Sequence, residues 1–205
     1  MFYRPGLDPH GLPHNPFKAL VAPRPIGWIS TLDARGRANL APYSFFNAIA
    51  ETPPMVMYAS TGRKAGRDEA KDTVTNIRAT GEFVANIVPW GLREAMNASS
   101  ASLAAGVDEF AHAGLTPAPC RVVAAPRVAE APASLECRAW KILDLPGAGN
   151  TLVIGEVVGV HIDDAVLVDG MVDVTLYAPL ARLGYRDYAA VRETFPMTRP
   201  AGGGG

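Results

Sequence analysis

The chain has 205 residues, of which 48% are hydrophobic, and this composition predicts one globular domain with a substantial core. Its 19 basic and 20 acidic side chains give a formal net charge of −1, so neither nucleic acid nor an anionic membrane surface is an expected partner. No apolar run approaches the roughly 20 residues that span a bilayer, and the first residues lack the apolar core of a secretory signal, so we expect a cytoplasmic protein.

The two ends of the chain differ in composition from the middle. Residues 1–16 are rich in Pro, Gly and His, and we predict that they form an extended arm. A run of glycines closes the chain, which predicts a disordered tail over residues 199–205. The folded domain is therefore expected to cover residues 17–198.

Short apolar segments rich in β-branched residues dominate the middle of the chain. Such segments, bounded by turn residues, are typical of β-strands. Residues 33–37 and 146–150 carry the turn residues of hairpin connections. The predicted strands cover residues 26–32, 38–45, 55–60, 82–88, 134–145, 151–163 and 181–189.

Helical patterns are fewer than strand patterns. Asp72 is predicted to cap a helix from Thr73 to about Ala79, which Gly81 ends, and residues 92–103 form a second candidate helix. Strands and helices do not alternate regularly. We therefore predict a mainly β fold, an antiparallel barrel with peripheral helices, rather than a doubly wound sheet.

Residues 60–64 (STGRK) follow a predicted strand and have the chemistry of a phosphate site. Two hydroxyl groups and two cations surround a glycine that lets the backbone approach an anion closely. The segment lacks the residue order of a P-loop, and a solvated turn with a basic surface pair is the alternative. The helix start at residues 71–73 adds exposed amides that also favour an anion. The residues concerned are Ser60, Thr61, Gly62, Arg63 and Lys64.

The predicted hairpin over residues 24–47 combines aromatic side chains with small polar groups. Asn39, Ser44 and Asn47 supply groups suited to the polar edge of an isoalloxazine ring, and Pro42 indicates an edge or a bulge. Trp28 packs either on such a ring or in the core. For Phe45 and Phe46, both in the same hairpin, a core position is favoured. A planar ring beside a phosphate site points to flavin mononucleotide (FMN).

Other cofactor and catalytic patterns are absent from the sequence. Residues 147–149 (GAG) precede a strand and lack a third glycine, so they do not form a dinucleotide fingerprint. No nucleophile elbow occurs, and no catalytic residue is assigned. His161 is a candidate for touching a pyridine nucleotide or relaying a proton, with a structural role as the alternative. Cys120 and Cys137 have no CxxC spacing and the histidines are scattered, so no metal site is predicted.

Several motifs, taken in order, resemble the flavin reductase-like, FMN-binding split-barrel family, and in particular its DIM6/NTAB, flavoredoxin-like branch. The likeness covers about residues 15–190 without an extra domain, and several motifs in register are more specific than any one alone. They lie at residues 24–31 (RPIGWIST), 39–47 (NLAPYSFFN), 71–73 (KDT), 106–110, 113–117, 126–130, 135–137 and 183–185.

The resemblance implies a six-stranded antiparallel Greek-key barrel that forms a homodimer, with FMN near the subunit interface. It implies that residues 39–47 line the isoalloxazine and that residues 60–64 address the phosphate. Arg186 is implied to approach the flavin from the partner chain. The full set of predicted cofactor-binding residues is Trp28, Ser30, Thr31, Asn39, Ala41, Pro42, Tyr43, Ser44, Asn47, Ser60, Thr61, Arg63, Lys64, Asp72, Thr73 and Arg186.

The resemblance leaves the activity open between three alternatives. The first is an NAD(P)H-dependent oxidoreductase that reduces flavin or an acceptor, in some relatives for a partner monooxygenase. The second is an electron carrier that passes electrons between proteins, and the third is a flavin-binding module without turnover. Family members use FMN or FAD, and the compact basic cluster suits the single terminal phosphate of FMN.

Overall fold

The computed structural model describes residues 1–62, 71–102, 107–198 and 200, and strands outnumber helices among them. The strands are β1 (Arg24–Pro25), β2 (Gly27–Leu32), β3 (Ala38–Tyr43), β4 (Phe46–Glu51), β5 (Pro54–Ser60), β6 (Glu82–Ile87), β7 (Pro117–Ala118), β8 (Arg127–Val128), β9 (Ala133–Asp144), β10 (Thr151–Ile162), β11 (Leu167–Val168), β12 (Met171–Val172), β13 (Leu180–Arg182) and β14 (Tyr188–Ala190). The helices are α1 (Phe17–Leu20), α2 (Asp72–Thr80), α3 (Arg93–Ala98) and α4 (Glu109–Ala113), with 3₁₀ turns at Trp90–Leu92, Asp164–Val166 and Val174–Leu176.

The main sheet has the strand order β3-β2-β6-β9-β10-β5-β4, and all its pairings are antiparallel. Its first and last strands, β3 and β4, are neighbours in the sequence and are separated only by Ser44 and Phe45. Three Cα–Cα steps span at most about 11 Å, so the two edges of the sheet must lie close together. The sheet therefore curves into a barrel that is left open between β3 and β4.

The fold class is confirmed: the protein is a mainly β, antiparallel split barrel with peripheral helices. The main sheet contains seven strands rather than the six that the resemblance implied. Residues 46–51 form the strand that the apolar pattern missed, because all but the first of them are exposed. The strand predicted over residues 181–189 is two short strands, β13 and β14, that pair across a turn.

The helices also differ from the predictions at their ends. Helix α2 ends at Gly81 as predicted, but its N-cap position is Lys71, and Asp72 is the first helical residue. The second predicted helix is a 3₁₀ turn followed by the short α3, and its predicted end at residue 103 lies outside the described residues. Helix α4 was missed, although Asp108 caps it by accepting hydrogen bonds from two backbone amides.

Strand β2 is buried on both faces, which explains its continuous apolar pattern. Successive side chains of a strand point to opposite faces. Trp28 accordingly packs with Leu40 and Phe110 in one core cluster, while Ile29 packs with Tyr58 and Phe83 in a second cluster. Packing on both faces holds β2 in place, and β3 is held in turn because it pairs with β2.

None of the helices in the described parts of the chain is long and apolar enough to cross a membrane. The first regular element begins at residue 17, and residues 1–16 contain turns but neither helix nor strand. The limits of the folded domain at residues 17 and 198 stay a prediction. Most of the predicted tail, residue 199 and residues 201–205, lies outside the described residues.

Candidate functional site

A buried hydrogen-bond chain joins strand β3 to helices α2 and α4. The Oγ1 of Thr73 donates to Asn39 Oδ1 at 2.7 Å, and Asn39 Nδ2 donates to Glu109 Oε1 at 3.1 Å. Asn76 Nδ2 donates to Thr31 Oγ1 at 3.0 Å on the same side of β2. Burial raises the pKa of Glu109 against the lowering effect of its hydrogen bonds. Three predicted cofactor residues, Thr31, Asn39 and Thr73, thus use their side chains to hold elements together.

Trp28 and Ser30 likewise have structural partners. The Trp28 side chain is fully buried, and its indole Nε1 donates to Ser99 Oγ at 2.9 Å. The structure places the Trp28 ring inside the core cluster, where none of it is exposed. The fully buried Ser30 donates to the carbonyl of Pro126 at 2.5 Å and accepts from Asn86 at 3.1 Å.

Two buried tyrosines lie at the end of the barrel where β3 and β5 approach each other. The Tyr43 and Tyr58 rings are 4.6 Å apart between centroids, and neither hydroxyl has a hydrogen-bond partner of good geometry among the described residues. The Tyr43 hydroxyl lies near those of Thr73 and Ser60, and burial raises its pKa to about 12. Tyr43 therefore stays protonated at neutral pH and has a hydrogen to donate.

Two lysines approach this end of the barrel from different elements. Lys71, at the N-cap of α2, holds its Nζ 5.6 Å from the centre of the Tyr43 ring, and Lys18, on α1, holds its Nζ 5.8 Å from the centre of the Phe45 ring. Burial, and then the nearby charge of Lys18, hold the pKa of Lys71 below its usual value. A bound anion would offset both effects.

The position of Lys18 depends on Arg24, which anchors α1 against the three-stranded sheet of β1, β13 and β14. The Arg24 guanidinium donates to the carbonyls of Lys18 and Val21, and also to the carbonyl of Leu183 at 2.8 Å. A Cβ built at Gly184 would lie 2.4 Å from the Cβ of Ala19, so this close approach requires glycine. Parts of two recognised motifs, 24–31 and 183–185, therefore serve to place α1.

Beside Lys71 lies a cavity of about 240 Å³ at the end of β5. Ser60 and Thr151 are paired across β5 and β10, so the β9–β10 turn lies beside the end of β5. That turn adds Asn150, whose Nδ2 donates to the carbonyl of Pro146 at 2.9 Å. The lining residues are Ser60, Gly62, Lys71, Val74, Arg78, Asp144, Leu145, Gly147, Gly149, Asn150 and Thr151.

The sequence did not predict Lys18 or Asn150 as site residues. For residues 71–73 it predicted a role of the backbone amides and not of the Lys71 side chain. A cation at a helix start is a usable signal for Lys71. The other two come from distant segments that only the strand pairing and the anchoring of α1 bring near Ser60.

The remaining predicted residues fall into three groups. Ala41, Pro42 and Ser44 are partly buried at the β3–β4 edge, while Asn47, exposed on β4, accepts a hydrogen bond from the amide of Ala48 at 3.0 Å. Thr61, Asp72 and Arg186 occupy exposed positions. Arg63 and Lys64 lie outside the described residues.

His161 belongs to a different part of the molecule. It lies near the end of β10 opposite to Thr151, ten residues further along the strand, which corresponds to about 30 Å in extended chain. Its Nε2 lies 2.6 Å from Glu136 Oε1. Within one chain, the structure does not bring His161 to the Ser60 cavity.

Comparison with known proteins identifies the family. The model of the family described as "Flavin reductase like domain" matches residues 20–179. Nitrilotriacetate monooxygenase component B from Bacillus cereus is 28% identical to this chain, with a TM-score of 0.88, and the match covers 96% of this chain and 98% of that protein.

Two further solved structures are similar to this chain. An inferred flavin reductase with a split barrel domain from Shewanella frigidimarina NCIMB 400 is 26% identical, with a TM-score of 0.80 and 90% of each chain covered. Flavoredoxin of Desulfovibrio vulgaris (Miyazaki F) is 26% identical, with a TM-score of 0.77, and the match covers 89% of this chain and 94% of that one. The protein belongs to the flavin reductase-like family.

Proposed function

We propose that the protein is an FMN-dependent oxidoreductase that binds the FMN phosphate at the Ser60 cavity. The observation that carries this proposal is the position of Lys71. Its ammonium group is half-buried beside that cavity, close to a second cation, Lys18, and its pKa is lowered. A phosphate dianion suits this surrounding because it offsets the burial of one charge and the repulsion between two.

The chemistry of the wall also fits a phosphate ester. The buried Ser60 supplies a hydroxyl, and Gly62 and Gly149 leave room for the backbone to approach an anion. Asn150, in the β9–β10 turn, supplies a side-chain amide. In this proposal the amides at the start of α2 add their positive dipole to the charge of Lys71.

The isoalloxazine ring is proposed to lie against the β3–β4 corner, over residues 41–47. This corner is the open edge of the split barrel, and its residues other than Tyr43 and Phe46 are at least partly exposed, unlike those of β2. Phe45 offers an aromatic face that Lys18 already approaches, and Ser44 offers a hydroxyl beside it. Tyr43 remains protonated and can donate to an acceptor at the inner end of the site.

When bound, a flavin supplies the redox chemistry by taking up a hydride and passing electrons to an acceptor. The protein residues then bind and orient the flavin. Lys71 and Lys18 hold the anionic end, and the rigid β2–β3 hairpin fixes the ring edge. A pyridine nucleotide, NADH or NADPH, is proposed to dock transiently against the flavin as electron donor.

A flavoredoxin-like electron carrier is the second candidate, because flavoredoxin of Desulfovibrio vulgaris shares 26% identity and most of its length with this chain. The likeness to a monooxygenase component B instead favours a reductase that serves a partner oxygenase. We favour the reductase, since the greater structural similarity is to component B.

Anaerobic mixing of the FMN-loaded protein with NADH or NADPH distinguishes the two. A reductase bleaches the visible flavin absorption within seconds to minutes, while free FMN mixed with the same nucleotide serves as the control. If the flavin stays oxidised with both nucleotides but bleaches with dithionite, the reductase proposal is wrong, and the carrier and the flavin-binding module without turnover remain.

A further inference from the structure

A second cavity, of about 500 Å³, lies at the other end of β10, between this strand and the segment over residues 121–132. We propose that this pocket binds a small oxyanion, a phosphate or carboxylate group, held by Arg121 and Arg127. The proposal concerns a site separate from the Ser60 cavity and does not depend on flavin binding.

The buried carboxylate beside the pocket already has its hydrogen-bond donors within the fold. Glu136 is buried, and its Oε1 accepts from the amide of Arg121 at 2.9 Å and lies 2.6 Å from His161 Nε2. Its Oε2 accepts from the amides of Val122 and Val123 at 2.7 and 2.9 Å. Each carboxylate oxygen thus has two close polar partners, and the carboxylate serves to anchor the 121–123 segment.

The local backbone is shaped around this carboxylate. Strand β10 has a register irregularity between Val157 and Gly159, where it pairs with β9. A Cβ at Gly159 would lie 3.1 Å from the carboxyl carbon of Glu136, so a larger residue would press on the anchored group. Irregularities of this kind redirect the side chains that follow. Here they bring His161 to the pocket wall.

The positive charges of the pocket have no such partners. Neither Arg121 nor Arg127 forms an ion pair with another residue in the part of the chain that the structure describes. The Nε of Arg127 is buried and has no hydrogen-bond acceptor among the described residues. A buried donor without an acceptor is costly, and a ligand oxygen at the pocket wall would remove that cost.

The chemistry of the wall favours an oxyanion. A guanidinium presents paired N–H donors that match the two oxygens of a carboxylate or a phosphate. The exposed Asp163 also lines the pocket, but its Oδ1 already accepts from the amide of Ala165 at 3.0 Å. The formal charges of the two arginines and the two carboxylates cancel. The arginines favour an oxyanion through N–H donors that include Arg127 Nε, which has no acceptor among the described residues, whereas both oxygens of Glu136 and one of Asp163 already accept hydrogen bonds.

A cation is the competing occupant. One ligand atom each from Cys120, Glu136 and His161 lie within 4.8 Å of one another, which is a donor set suited to zinc. Two observations weigh against it. Both Glu136 oxygens already accept hydrogen bonds, and burial raises the pKa of the Cys120 thiol to about 11 against the lowering effect of the Arg127 charge.

Isothermal titration calorimetry of the full chain with sodium phosphate and with sodium succinate tests the proposal. We expect saturable binding of at least one anion at low ionic strength, with a Kd at or below about 1 mM. Arg127→Gln and Arg121→Gln should each weaken it by about tenfold or more. Arg35→Gln, which removes an exposed arginine in the β2–β3 turn, is the matched control, and Lys71→Gln reports any binding at the Ser60 cavity.

Phosphate binding alone identifies a phosphate-bearing ligand, and succinate binding extends the class to carboxylates. If Arg127→Gln lowers the melting temperature, the Arg121→Gln titration is used to test the proposal, because Arg121 is exposed and its replacement should leave the fold intact. The proposal is wrong if neither anion binds saturably, if Arg35→Gln causes the same loss, or if only Lys71→Gln does. It is also wrong if Co²⁺ gives a thiolate charge-transfer band that Cys120→Ser abolishes, because the pocket is then a cation site.

Discussion

The hydroxyl of Thr73 donates a 2.7 Å hydrogen bond to the Oδ1 of Asn39, and this bond fastens the first turn of α2 to β3. Lys71 stands two residues before Thr73, so the same bond holds the candidate phosphate cation in place. The sequence predicts that Asn39 and Thr73 contact a flavin. In the folded protein the side chains of Asn39 and Thr73 instead hold α2 against β3, and they thereby position Lys71, which contacts the flavin phosphate in our proposal.

Thr73→Val keeps the shape of the side chain but removes the donor, which leaves Asn39 Oδ1 buried with only a 3.5 Å contact to Thr31. We expect the free energy of unfolding in urea to fall by about 1–3 kcal/mol, and FMN to bind more weakly. Thr75→Val, at an exposed position of the same helix, is the control and should change stability by less than about 0.5 kcal/mol. Equal effects of the two substitutions would show that the bond is unimportant.

Tyr58→Phe removes a buried hydroxyl that has no partner among the described residues. Because that hydroxyl was desolvated without a hydrogen bond, we expect the variant to be as stable as the parent or more stable by up to about 1 kcal/mol. Thermal unfolding followed by circular dichroism measures the change. A loss of more than about 1 kcal/mol would mean that the hydroxyl is bonded in the folded protein.

Glu136 makes the stability of the fold depend on pH. Burial acts to raise its pKa, but hydrogen bonds from the amides of Arg121, Val123 and Val122, and from His161, lower it to about 2. Because the pKa of Glu136 in the folded protein lies below its unfolded value of 4.5, the ionised carboxylate stabilises the fold. This stabilisation is fully present above pH 4.5 and is lost as the pH falls towards 2.

Glu136→Gln should therefore destabilise the protein at pH 7 by an amount on the order of 3 kcal/mol. The difference between parent and variant should shrink between pH 4.5 and about pH 2. Urea unfolding at several pH values tests this sign, and a difference that stays constant with pH would contradict it.

Much of the fold was predictable, and the failures have physical causes. Six of the seven predicted strand segments and the 33–37 turn follow from local patterns, and the structure confirms them, while the segment over 181–189 is two short strands. Trp28 could not be assigned from local pattern, because β2 is buried on both faces and periodicity then carries no information.

The candidate site was only partly predictable for a related reason. Ser60 was found because a loop after a strand lies at the rim of a sheet. Asn150 joins it through the pairing of β5 with β10. Lys18 is placed by Arg24, whose guanidinium also donates to the carbonyl of the distant Leu183, and local pattern predicts neither arrangement. His161, for which a structural role was the alternative, lies at the far end of the twelve-residue β10 and contacts Glu136, and its role stays a prediction.

The homodimer remains a proposal, and sedimentation tests it. The main sheet exposes large apolar side chains, of which Trp140 on β9 is 64% exposed, and a second subunit would cover such a surface. We expect twice the mass of the chain at micromolar concentration, and we expect Trp140→Gln to weaken the dimer. Phe195→Gln, at an exposed position outside helices and strands, should have no effect. A monomer that still binds flavin would contradict the proposal.

The central claim is that Lys71 helps to hold the phosphate of FMN, and fluorescence titration tests it with FMN and with riboflavin, which lacks the phosphate. Lys71→Gln should raise the Kd for FMN by about tenfold or more and leave that for riboflavin within about twofold. Lys141→Gln, which removes an exposed lysine of β9, should change neither. Failure of the parent protein to bind FMN, or an equal loss for both flavins in Lys71→Gln, would contradict the account.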